Sequence, residues 1–279
     1  MVGPSIPPAE RRARETAQWI VERVGKSPRV AMLLGTGHAS IAERLTGART
    51  IAPRELPAGL SFAHDSPLLC GTLHGVSVVV SGAGLPCYEG HSVRDAAQPV
   101  RVLRAMGADI LVLTAGAASL SAQIEPGAIG LVADHLDFSG TRPLQGPPED
   151  HGPRFLDMTE PYAAHLRQAV HAIALRHGIP CAEAVFAAVP GPALPTRAEY
   201  RFLHRAGADL VGMSLVPEVM VARYVGFDVV ALVGVTQRVS LESPTPPAIE
   251  AMLDAADLAE PRMTSILVEL VASLGPDGG

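Results

Sequence analysis

Short, continuous apolar runs recur along the chain: Arg29–Leu34, Ile110–Thr114, Ala128–Ala133, Ala184–Val189 and Val229–Thr236. Each is the length of a strand rather than a helix, and each lacks the polar alternation of a sheet with one wet face. Strands of that kind are buried on both sides, which requires a layer of helices above and below the sheet. Helical spacing between the runs supplies those layers. Composition agrees, since 48% of the residues are apolar but only 4% are aromatic, leaving Ala, Val and Leu to fill the core. No shift in composition marks a boundary and no segment repeats. The chain therefore reads as α/β: one domain over residues 1–279, a mixed central sheet flanked by helices, with 1–8 and 275–279 as loose tails.

The connecting segments have their own signatures. After Pro7-Pro8, residues Ala13, Ala17, Ile20, Val21 and Val24 share one helical face, and Gly25 ends the helix. Leu68–Leu73 and Val76–Ser81 flank His74-Gly75 as a β-hairpin. Val93 to Met106 is amphipathic, with a kink expected at Pro99. Further helices are predicted over about 161–177, 197–205 and 248–274. Residues 51–66 and 138–160, rich in proline, glycine and charge, read as loops.

Charge and cysteine content exclude several functions. Lys+Arg number 22 against Asp+Glu 28, a net charge of −6, so a nucleic-acid partner has no electrostatic support. No apolar run reaches the roughly 18 residues of a membrane span. Residues 1–28 lack the apolar core of a signal peptide. Cys70, Cys87 and Cys181 are too far apart for a disulfide framework or a zinc knuckle, so a reducing cytoplasm is expected.

Candidate chemistry lies where strands end. Leu34 runs into Gly35-Thr36-Gly37, whose backbone N–H groups and Thr36 hydroxyl suit an anion. No third glycine or P-loop lysine follows, which removes dinucleotide and Walker-type sites. A second small-residue turn is expected at Ala115-Gly116-Ala117-Ala118-Ser119. The stretch Gly207–Ala222 is a strand ending in Gly212-Met213-Ser214, followed by a helix from about Pro217. A hydroxyl beside a helix start can hold an anion. The same residues also describe an ordinary strand–helix junction, with Thr36 and Ser214 as turn or cap hydroxyls. His64 could equally be an exposed loop histidine, and Tyr88 a core aromatic.

In this order and spacing, Leu34-Gly35-Thr36-Gly37, His64, Tyr88-Glu89-Gly90, Pro99–Leu103, Gly107–Thr114, Asp134-His135, Pro143-Leu144-x-Gly146-Pro147, Gly191-Pro192 and Val211–Ser214 with Pro217-Glu218 resemble the trimeric class of purine nucleoside phosphorylases, the family that also holds methylthioadenosine phosphorylase. The resemblance spans about Ala13 to Ser273. It implies the nucleoside phosphorylase fold and a homotrimer, with Phe155 reaching a neighbouring subunit's sugar pocket. It implies phosphorolysis of a purine nucleoside to free base and ribose 1-phosphate, with inorganic phosphate as co-substrate and no other cofactor or metal. Thr36, His64, Gly116 and Ser214 would bind phosphate, and Tyr88, Met213 and Phe155 the ribose. Ala118, Leu194, Pro195, Thr236 and Gln237 would face the base, with Gln237 the catalytic contact to the leaving group.

Several positions depart from the pattern of the family it resembles. The family's phosphate-site arginine and histidine fall on Gly84 and Pro86, neither of which carries charge. The glutamate that receives the base's ring N–H falls on Pro195, and the aromatic before it on Leu194. The asparagine that holds N7 falls on Gln237, and the histidine that meets the 5′-hydroxyl falls near Ala251. His91 and Arg94 are close enough in sequence to Tyr88 to be considered as replacement cations, whereas Glu89 and Glu218 read as partners for helix starts or interface ion pairs. Three activities follow from this mixture: phosphorolysis with shifted specificity, hydrolysis by water, or nucleoside binding without turnover.

Overall fold

The computed structural model describes residues 8–35, 38–57, 62, 66–140, 142–146, 152–242 and 248–277. Its strands are β1 (Val30–Leu34), β2 (Thr46–Ile51), β3 (Leu68–Leu73), β4 (Val76–Gly82), β5 (Ile110–Ser119), β6 (Ile129–Asp137), β7 (Cys181–Ala188), β8 (Leu210–Gly212) and β9 (Asp228–Arg238). Its helices are α1 (Pro8–Val24), α2 (His38–Ala42), α3 (Val93–Ala96), α4 (Gln98–Ala105), α5 (Ala164–His177), α6 (Arg197–Arg205), α7 (Val216–Tyr224) and α8 (Ile249–Ser273).

One mixed sheet runs β2-β3-β4-β1-β5-β8-β7-β6-β9, and β9 returns to pair with β5. The last five strands thus close into a ring, while β1 to β4 extend from it as an open arm. Strand β1 lies parallel to both β4 and β5, and β5 lies parallel to β9. The carboxyl ends of β1, β4, β5 and β9 therefore share one edge. That is the edge where open α/β sheets collect ligands.

Burial on both faces is borne out by the side chains of β1. Ala31 and Leu33 face a core shared with α1, α4 and α7, where Ile20, Leu103 and Val219 are fully buried. Val30, Met32 and Leu34 face the opposite core, shared with α5 and α8 through Val170, Ile173, Ile266 and Leu267. Each such aliphatic side chain contributes about 1.5–3 kcal/mol relative to remaining in water.

Local signals set several boundaries. The hairpin turns at His74 (φ 49°) and Gly75 (φ 82°), the double left-handed geometry of a two-residue loop. Thr196 caps α6 by accepting from the Glu199 N–H, while Glu199 accepts from the Thr196 N–H.

Four expectations need correction. The small-residue turn at Ala115–Ser119 is the second half of β5, held by β9 on one side and β8 on the other. The helix kinked at Pro99 is two helices, α3 and α4, separated at Ala97, with Pro99 in the first turn of the second. Strand β2 was not expected, because five of its six residues are exposed and carry no apolar pattern. The tail is also pinned: Asp277 accepts from the Ser77 N–H and hydroxyl at 3.0 and 2.6 Å and pairs with Lys26 at 2.8 Å.

Candidate active site

At the shared strand edge lies a hollow of about 450 Å³. Four strand ends feed it. Gly35 follows β1, Ala83-Gly84 follow β4, Gly116 and Ala118 belong to β5, and Thr236 and Gln237 close β9. Strand β8 enters from the opposite direction, pairing Val211 with Ala118, so that Gly212-Met213-Ser214 arrive beside the middle of β5. A side chain at Gly212 would strike the Phe186 ring, its Cβ falling 2.7 Å from Cζ, so the approach needs glycine.

The junction after β8 is strained. Leu215 has φ 75° and ψ −53°, and the Val216 N–H donates to the Ser214 carbonyl at 3.0 Å, a γ-turn of the unfavourable hand. A non-glycine residue held there costs about 1–3 kcal/mol, strain that persists where surrounding packing enforces it. Leu215 is buried, and the turn delivers Ser214 to the hollow at the start of α7.

Of the residues singled out in the sequence, Tyr88, Gly116, Ala118, Leu194, Pro195, Met213, Ser214, Thr236 and Gln237 all line this one hollow. Residues Thr36 and His64 lie outside the described residues. Phe155 does not line it; its side chain is 90% exposed on its own chain. Gly84 and Pro86, the uncharged replacements, do line it, and they leave it open. Neither His91 nor Arg94 lines it, and the Arg94 guanidinium donates instead to the Gln145 carbonyl. The pair Asp134-His135 is also elsewhere. His135 Nδ1 lies 3.1 Å from the Tyr162 hydroxyl, and burial lowers the imidazole pKa against the pull of Asp134 and Asp137.

The two ends of the hollow differ. One, around Gly35, Ala83, Gly84, Cys87 and Ser214, is made of backbone, small side chains and a hydroxyl. The other, around Leu194, Pro195, Tyr200 and Met252, is apolar and continues into an outer cleft lined by Arg197, Arg238 and Ser240. The Thr236 hydroxyl donates to the Ala117 carbonyl at 3.2 Å, and the Gln237 amide and the Tyr200 ring line the same end.

Three lining residues had no functional signal in the sequence. Tyr200 and Met252 sit at ordinary helical positions of α6 and α8. Glu218 looked like a helix-start carboxylate. It does sit in the first turn of α7, but it is buried, and among the described residues its Oε2 has no hydrogen-bond partner. Burial pushes its carboxyl up to about 7, opposed by its own N–H. A second hollow, of about 730 Å³, lies between α1 and α4 and contains none of the strand-end glycines. Among the described residues, no group of three His, Cys, Asp or Glu side chains is arranged to hold a metal ion.

Known proteins share this arrangement. The sequence model of the Phosphorylase superfamily matches residues 29–272. Purine nucleoside phosphorylase 1 of Bacillus subtilis is 36% identical over 225 residues, covering 79% of this chain and 83% of that protein. Purine nucleoside phosphorylase of Bos taurus is 34% identical over 276 residues, covering 95% and 96%. The solved structure of the Schistosoma mansoni purine nucleoside phosphorylase in complex with inosine superposes with a TM-score of 0.90 at 28% identity, covering 96% of this chain and 98% of that one. With the mixed sheet, the strand-end hollow and this similarity along nearly its whole length, the chain belongs to the purine nucleoside phosphorylase family of the phosphorylase superfamily.

Proposed function

We propose that the chain catalyses reversible phosphorolysis of a purine nucleoside, giving free base and ribose 1-phosphate. Inorganic phosphate is the co-substrate, and no metal or organic cofactor takes part. One observation carries this: nine of the positions singled out in the sequence, from three strands (β5, β8 and β9) and two loops, converge on a single hollow of about 450 Å³. Similarity to the named phosphorylases supports it, and nothing in that similarity favours hydrolysis by water or silent binding.

In this reaction the bond from the sugar's anomeric carbon to the base nitrogen breaks, and its electron pair leaves with the base. A phosphate oxygen then bonds to the carbon, which has oxocarbenium character in between. The chain's task is positioning and electrostatics. Ser214 donates its hydroxyl to the anion and the Gly116 backbone stands by; Thr36 and His64 take the phosphate-binding roles that the resemblance gives them. Tyr88 and Met213 pack on the sugar. The Gln237 amide holds N7 as negative charge collects on the ring, and Ala118, Leu194 and Pro195 enclose the base.

Leu194 and Pro195 offer no carboxylate to a ring N–H. Strong selection for a 6-oxopurine is therefore not expected, and a purine altered at that edge fits the apolar wall. Phe155, exposed on its own chain, is suited to closing the sugar pocket of a neighbour in a homotrimer. The enzyme works in the cytoplasm on small molecules, with no nucleic-acid or membrane partner. The test is a panel of purine nucleosides incubated with and without phosphate, read by release of free base. Release that requires phosphate is expected; equal release in both arms would overturn the proposal.

A further inference from the structure

The end of the hollow that would take phosphate contains an acid where a cation is missing. Gly84 presents no side chain, and a Cβ built on it would lie 3.0 Å from Glu218 Oε1. The Glu218 carboxyl thus lies in tight contact with the place where a side chain at position 84 would begin. Glu218 and Gly84 both line the hollow, Glu218 is only 9% exposed, and its Oε2 has no partner among the described residues.

Nearby charges are committed elsewhere. On α3, Asp95 accepts from the Ser92 hydroxyl at 2.6 Å, and Arg94 turns away to the Gln145 carbonyl. On α4, the Arg101 guanidinium lies 5.6 Å from the centre of the Tyr224 ring, and Arg104 pairs with Asp109 at 2.7 Å. On α7 itself, Arg223 donates to the Phe227 carbonyl at 3.0 Å and lies 3.9 Å from Asp228 of β9. Arg238 of β9 pairs with Glu125. Burial pushes up both the Cys87 thiol and the Tyr162 hydroxyl, with the Glu218 charge adding to the rise in Cys87 and, after Asp134, in Tyr162. Both are neutral at physiological pH.

We propose that Glu218 binds the phosphate as a carboxylic acid, donating its proton to an anion oxygen in place of a positively charged side chain. This rests on the reading of the hollow as a phosphate site. A carboxylate beside a dianion repels it, whereas the protonated acid supplies a short donor and no charge. Burial, opposed by its own N–H, already raises this acid to about 7, and an adjacent anion raises it further, so anion and proton bind together. Affinity for a fixed dianion is then level below that pH. Above it, affinity falls about tenfold per pH unit, with one proton taken up per anion bound.

Sulfate is the suitable probe, because it remains a dianion across the neutral range while phosphate itself titrates. Calorimetric titration of sulfate from pH 6 to 9, in buffers of different ionisation heat, reads affinity and proton uptake together. The wild-type chain is expected to show the tenfold-per-unit decline and the uptake of one proton at the alkaline end. Glu218→Gln retains an N–H donor and should bind sulfate at pH 6 within a few-fold of wild type, with a flat profile and no proton uptake. Gly84→Arg places a permanent cation beside the carboxylate, and should raise affinity at pH 8.5 at least tenfold while abolishing the slope. A flat wild-type profile, a slope that survives in either variant, or no sulfate binding at all would overturn the inference. The nucleoside panel separates this from the reaction itself. Phosphate-dependent base release with a flat sulfate profile removes Glu218 from the anion site and leaves phosphorolysis standing. A sloped profile without base release supports Glu218 and removes phosphorolysis.

Discussion

The two ends of the hollow are built by different means. The end proposed to take the anion is mainly main chain: Gly35, Ala83, Gly84 and Gly116 stand at or near the ends of parallel strands, and one strained turn presents Ser214. The base end is side chain: Leu194, Pro195, Tyr200, Thr236, Gln237 and Met252 converge from β9, two helices and a loop. A backbone site tolerates substitution because its donors are fixed by the sheet and not by residue identity. A side-chain site changes with each replacement. Catalytic geometry can therefore be retained at one end while substrate preference drifts at the other, and Glu218 is the place where the anion end also departs from that rule.

The sharpest way to break this contrast is at Gln237. Removing the amide in Gln237→Ala should lower kcat by about 10²–10³-fold with little change in KM, as for other donors aimed at transition-state charge. Steady-state kinetics decide it; a change confined to KM would mean that the base end only binds.

Next comes the buried acid, read through stability. Its carboxyl titrates at about 7 in the folded chain against an ordinary 4.5. The contribution is fully present below the ordinary value and is lost as pH rises through 7, because the folded chain must then bury a charge. Glu218→Gln should therefore match wild type near pH 5 and exceed it by up to about 3 kcal/mol at pH 8 in urea unfolding. Equal stability at both pH values would mean that the carboxylate has a partner in solution.

At the end proposed for the anion, Ser214→Ala would remove the hydrogen bond proposed to phosphate. It should lower kcat/KM for phosphate by about 10–100-fold while leaving nucleoside affinity nearly unchanged. A loss shared equally between phosphate and nucleoside would erase the division into two ends. The smallest effect is expected at the apolar wall, where Leu194→Ala removes partly exposed packing. A rise of about 3–10-fold in nucleoside KM, with kcat retained, corresponds to that loss of apolar contact.

Much of this was legible in the residues. The apolar runs located β1, the hairpin and β9, since a strand buried on both faces needs no partner to show its character. The helix expected over about 197–205 is α6, and its start was readable because the cap that Thr196 and Glu199 form is a contact between residues three apart. The glycine- and hydroxyl-bearing ends of strands pointed to the hollow, and resemblance sorted their roles. Strand β2 was invisible because its side chains face water. The second half of β5 looked like a turn because alanine, glycine and serine signal flexibility until a neighbouring strand claims them.

By itself, the sequence determined the layered α/β architecture, the family and the candidate residues, all of which rest on local pattern and order along the chain. Only the tertiary structure decided that β5 and β9 join residues as distant as Ala118 and Gln237, closing the ring that shapes the base end. It alone brought Glu218 against the bare backbone of Gly84. The physical reason is range: burial and capping leave their mark within a few residues, whereas a buried acid is left neutral by what the rest of the fold fails to place beside it.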